Sequence, residues 1–142
     1  MRQIAELTPG QIDQAWELAL PVEGEDPNEV RHDFMGARIH RDKYSLEEEY
    51  GWVVEYIFNE RFLEDYATTD ANIFCEANIR VLSFKNHLKN ANNSTQEITD
   101  WYIDNGGYNT KQPLAWVYSL TEEHINKLKK IFGLTDESIN LL

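Results

Sequence analysis

Glu55, Arg80 and His87 are the residues of this chain whose types and setting bear on chemistry. Glu55 lies in Gly51-Trp52-Val53-Val54-Glu55-Tyr56-Ile57, an otherwise apolar run. A carboxylate drawn into such surroundings needs a partner, and His87 and Arg80 are the candidates. Carboxylate and imidazole are the side chains of metal ligation and of general acid–base work. Tyr56 is a weak base by comparison: a phenol with a pKa of about 10 is almost wholly protonated at neutral pH. A plainer reading stands beside each. Trp52, Tyr56 and Phe84 suit an aromatic core, and His87, three residues after Phe84, suits a hydrogen-bonded, partly buried histidine.

Other motifs are absent or weak. His32, His40 and His124 have no ligand spacing to one another. The single cysteine, Cys75, excludes an internal disulfide framework and a multi-cysteine zinc site, and reads as a small buried apolar residue. There is no P-loop, dinucleotide fingerprint or nucleophile elbow. Asn92-Asn93-Ser94-Thr95 matches a glycosylation sequon by chance.

The elements that must position these residues can be read from caps and periodicity. Thr8-Pro9-Gly10-Gln11 opens a helix expected over 9–19, with Thr8 as N-cap and Gln11 completing a capping box. Pro21 ends it. The acidic stretch 22–28 is a loop, followed by a short turn capped by Asn28. Residues 37–44 and 52–57 read as two extended segments forming an antiparallel hairpin. A helical insertion follows from Phe58. Asn78-Ile79-Arg80-Val81-Leu82 leads into a helix that starts near Ser83 and carries Phe84, His87 and Leu88 on one side. Further helices are expected near 95–104 and 122–132, with an extended piece at 114–118, a Leu120–Ile125 staple and a stop at Gly133. The expectation is one α+β domain over 1–142, with the core in 12–93 and a helical extension with a short strand in 94–142.

Of the 142 residues 42% are apolar, enough for one packed core and unlike a disordered tail. No apolar run approaches the ~20 residues that span a bilayer, and the N-terminus lacks a signal-peptide core. Both predict a cytoplasmic chain with no membrane partner. The net charge is −12. Residues 1–71 hold 6 basic and 17 acidic residues, against 7 and 8 in residues 72–142. That front half repels a phosphate backbone at long range and suits a partner with a basic surface.

The run 12–57 together with 78–87 resembles bacterial or phage HNH-nuclease-like (ββα-metal) proteins. The resemblance rests on Ala15-Trp16, Asp26-Pro27-Asn28, Val30-Arg31-His32-Asp33, Tyr50-Gly51-Trp52 with Glu55, and Asn78-Ile79-Arg80-Val81-Leu82 before Phe84-Lys85-Asn86-His87. It implies a β-hairpin and helix around one divalent ion, with an Asp ligand, a His general base, an Asn that holds the loop, and a ligand on the helix. Carried over, Glu55 and His87 take the metal positions. Tyr56 takes the general-base position and Asn78 the middle position. A motif whose base is a Tyr implies a non-catalytic scaffold without a cofactor, acting as an acidic interaction or regulatory module. The alternative is a Mg²⁺- or Mn²⁺-dependent endonuclease with an atypical site, and only that alternative involves nucleic acid.

Overall fold

The computed structural model describes residues 3–90 and 122–139. The expected helix near 95–104, the extended piece at 114–118 and Leu120 of the proposed staple lie outside them. The chain is α+β, as the sequence predicts.

Helix α1 (Pro9–Trp16) begins as its caps dictate. Thr8 Oγ1 accepts from Gln11 N at 3.2 Å, and Gln11 Oε1 accepts from Thr8 N at 3.0 Å. The helix ends before the expected Ala19, and residues 20–21 form strand β1 (Leu20–Pro21). β1 pairs antiparallel with β2 (Val30–His32), which pairs antiparallel with β3 (Arg38–His40). The expected turn after Asn28 is thus strand β2. Gly36, at φ +93°, makes the reversal into β3.

Strand β4 (Trp52–Tyr56) falls where the β-branched and aromatic run predicts it. Its partner corrects the sequence reading. β4 does not form a hairpin with 37–44. It pairs antiparallel with β5 (Ile79–Ser83), Glu55 opposite Arg80 and Tyr56 opposite Ile79. Among the described residues, the backbone pairing of 37–44 with β4 is a single parallel bridge between Tyr44 and Trp52. The physical reason is reach along the edges of β4. One edge takes five residues of β5 in register, while residues 3–5 lie along the other, with Ala5 N donating to Val54 O and Tyr56 N to Gln3 O. Helix α2 (Glu60–Tyr66), capped by Asn59, lies in the connection between the two strands.

The two faces of the β4–β5 pair are covered differently. Side chains alternate along a strand, so Trp52, Val54 and Tyr56 pack with Ile79, Val81, Ala15 and Trp16. Val53 and Glu55 turn to the other face, where helix α3 (Phe84–Asn90) lies. Ser83 caps α3 as expected, its Oγ accepting from Asn86 N at 3.1 Å. Helix α4 (Glu122–Phe132) and the short α5 (Asp136–Ile139) close the described chain. Leu128 and Phe132 of α4 pack with Phe58, Ala77 and Leu134. Gly133, at φ +64°, ends α4 as predicted. A Cβ there would run into the Thr68 side chain, whose hydroxyl donates to Gly133 O at 2.8 Å.

Candidate functional site

The strand-to-helix order brings Glu55 and His87 together across 32 residues of chain. His87 Nδ1 and Glu55 Oε2 are 2.6 Å apart. Glu55 is wholly buried and His87 is 5% exposed, so the contact is shielded from water. The Phe84 ring meets His87 edge-on, with centroids 6.0 Å apart.

Arg80, the other candidate partner, stands opposite Glu55 in the strand register. Its Nη1 donates to Ile79 O at 2.6 Å, and its guanidinium lies 5.1 Å over the Phe34 ring. Arg80 Nη2 is also 3.1 Å from His124 Nε2, which is 2.8 Å from Ala77 O. Burial, then the Arg80 charge, push the His124 imidazole below its ordinary value.

Asn78 sits at the mouth of β5 and is committed to the backbone. Its Oδ1 accepts from Phe58 N at 2.8 Å, and its Nδ2 donates to Phe58 O and Ile73 O at 3.1 and 3.0 Å. It fastens the chain leaving β4 to the chain entering β5. Tyr56 is not gathered with Glu55 and His87. As the next residue on a regular strand it projects from the opposite face, into the cluster around Trp16. Burial, and then Glu60 and Glu6, push its phenol further up. The geometry thus joins Glu55 with His87, gives Asn78 a loop-holding position, and sends Tyr56 elsewhere.

A metal held between the two carried-over ligand positions can be tested on this geometry. Neighbouring ligands of an octahedral Mg²⁺ stand about 2.9 Å apart, given bonds of 2.0–2.1 Å. Glu55 Oε2 and His87 Nδ1 are closer than that and hydrogen-bonded, so these two atoms do not fit as joint ligands of such an ion. Among the described residues, no group of three or more His, Cys, Asp or Glu side chains is placed to hold a metal.

Asp33 is the polar residue whose importance the sequence reading missed. It is fully buried. Its Oδ1 accepts from Met35 N and Ala37 N at 2.9 and 2.7 Å, and its Oδ2 from Ser83 N and Asn86 Nδ2 at 2.7 and 2.9 Å. The carboxylate ties the β2–β3 turn to the start of α3 and so fixes the helix that carries His87. Burial pushes its carboxyl above the ordinary value, and the four hydrogen bonds pull partly back. The one local signal was an Asp two residues before a Met-Gly turn, an Asx-type pattern. The contacts to Ser83 and Asn86 span 50 and 53 residues and leave no local trace.

No helix among the described residues is long and apolar enough to cross a membrane. No family model, curated protein or solved structure matches the chain.

Proposed function

We propose that this chain is a non-catalytic module on an HNH-like scaffold, presenting an acidic surface to a protein partner with a basic surface. The observation that carries the reading is the separation of Tyr56 from the Glu55–His87 pair by the thickness of the β4–β5 sheet. In the enzymes this sequence resembles, that position supplies the base which activates water. Here it holds a phenol, buried in an apolar cluster and pushed up in pKa. General acid–base catalysis contributes roughly 10²–10⁴ in rate, and this side chain offers none of it at neutral pH. The strand–strand–helix order, the loop-holding Asn78 and the Glu55–His87 contact support descent from such a scaffold. The excess of 11 acidic residues in residues 1–71 supports a basic partner over DNA.

The convergence of Glu55 and His87 is also what a metal-dependent endonuclease would require, so the test is direct. Supercoiled plasmid is incubated at low salt, where weak binding is least screened, with Mg²⁺ or Mn²⁺. The expected result is no nicking above buffer. Metal-dependent nicking that disappears in folded Glu55→Ala and His87→Ala variants would replace this reading with the endonuclease.

A further inference from the structure

At the start of α3, beside the Trp52–Ser83 end of the β4–β5 pair, lies a cleft of about 710 Å³ whose lining does not include Glu55 or His87. One wall is the 45–51 loop, with Glu47, Glu48, Glu49 and Tyr50. The other is α3, with Phe84, Lys85 and Leu88, and the β2–β3 turn closes one side through Gly36 and Ala37. The volume is within the range of about 300–1,000 Å³ common to ligand-binding clefts.

Two features point to an occupant. The first is apolar exposure: Leu88 is 53% exposed and Tyr50 37%, and both line the cleft, while Leu46 of the same loop is 44% exposed. Two of the five large apolar side chains left exposed among the described residues thus line one cleft, and a third, Leu46, belongs to the loop beside it. Exposed apolar side chains that cluster mark contact surfaces, whereas scattered ones do not. The second is charge. Glu48 is paired with Lys43 at 2.6 Å, and Arg38, also in the lining, with Glu25 at 3.6 Å. Glu47 and Glu49 have no ion-pair partner among the described residues, and they share the lining with Lys85 of the helix.

We infer that this cleft binds a short extended segment of a basic protein, with a Lys or Arg directed at Glu47 and Glu49 and a bulky apolar side chain between Tyr50, Phe84 and Leu88. Lys85 sets the direction, turning the partner's cation toward the loop wall. The loop wall is stiff. Tyr50 and Ser45 hold φ at +64° and +63°. Ser45 N donates to Trp52 O at 2.7 Å, and the Tyr50 ring stacks on His40 with centroids 4.1 Å apart. Gly51 is buried with its backbone against Leu46 O, where a Cβ has no room. A wall fixed in this way loses little conformational freedom on binding. The inference rests on the acidic-module reading above and names the surface that performs it.

The test uses the full ¹⁵N-labelled chain and a capped synthetic hexapeptide, Lys-Leu-Lys-Phe-Lys-Gly, followed by amide chemical shifts at low salt. Saturable shifts confined to residues 45–51 and 84–88 are expected, with affinity lowered at least about tenfold by Leu88→Asp and by the pair Glu47→Lys, Glu49→Lys. All three positions are on the surface of the cleft, and circular dichroism checks that the variants fold. Shifts on another acidic surface would overturn the cleft and leave the acidic-module reading standing. No shifts at millimolar peptide would overturn both. Equal binding of the same peptide with each Lys replaced by Glu would overturn the charge argument, and full affinity in Leu88→Asp the apolar one.

Discussion

Asp33 and Glu55 are both fully buried carboxylates that meet a side chain of α3, but their partners differ in kind. Asp33 is ringed by four amide N–H donors, three from the backbone and one from Asn86. None of those donors can titrate, so the site is a fixed mould for one acid. Glu55 instead faces an imidazole on the helix that Asp33 holds in place. The first carboxylate builds the position, and the second occupies it with a close contact to the imidazole. Burial alone does not mark a chemical site: Asp33 ties a turn to a helix through neutral amide donors, whereas Glu55 meets a side chain of the type used in metal ligation and acid–base work.

Breaking the first side of that comparison is expected to have the largest effect. Asp33→Ala removes the acceptor of four amide donors, and a loss of roughly 3–5 kcal/mol is expected, because each buried donor left unsatisfied costs about 1–3 kcal/mol. Urea unfolding followed by circular dichroism measures it. A loss under 1 kcal/mol would show that the turn and α3 are held by something else.

A smaller effect separates the two tryptophans on the apolar face of β4. Trp16 Nε1 donates to Pro27 O at 2.9 Å, whereas Trp52 Nε1 is buried with no hydrogen-bond partner among the described residues. Both rings are fully buried, with centroids 5.3 Å apart. Trp16→Phe therefore loses packing and a hydrogen bond, and Trp52→Phe loses packing while removing an unsatisfied N–H. Trp16→Phe is expected to be the more destabilising by about 1 kcal/mol, read from the same unfolding curves. The reverse order would contradict the hydrogen-bond assignment.

The smallest expected effect is a pH slope. The folded His124 pKa lies below that of the unfolded chain. Near the ordinary histidine value of about 6.5 the unfolded chain therefore binds more protons than the folded one. Stability contributed by His124 is present above that pH and is lost as pH falls through it toward the lower folded value. His124→Gln should flatten the dependence of unfolding free energy on pH across this window. An unchanged slope would remove His124 from the account.

Much of this was legible in the sequence where the signal was local. The capping box at Thr8 and Gln11, the cap at Ser83, the stop at Gly133 and strand β4 all come from residues within a few positions of one another. That Glu55 needs a partner was legible as well, because a carboxylate in an apolar strand demands one, but the sequence left His87 and Arg80 both open. What escaped the sequence was long-range. The nearer segment at 37–44 competed with β5 for β4, and no local rule says that the strand beyond a 22-residue connection wins. β2 has three residues, too few for a period to register. The separation of Tyr56 from Glu55 follows from strand alternation, which would have moved Tyr56 out of the site had it been applied to adjacent motif positions.

The central claim is that Glu55 and His87 serve each other and not an ion. A double-mutant cycle with Glu55→Gln and His87→Gln, followed by thermal unfolding with and without millimolar Mn²⁺, tests it most directly. The account predicts a coupling energy of roughly 0.5–3 kcal/mol between the two positions and a wild-type melting temperature that Mn²⁺ leaves unchanged. An ion bound at 100 times its Kd would add about 2.7 kcal/mol of stability. A Mn²⁺-dependent rise of that order in the wild type, lost in either single variant and accompanied by no coupling in the metal-free chain, would contradict it.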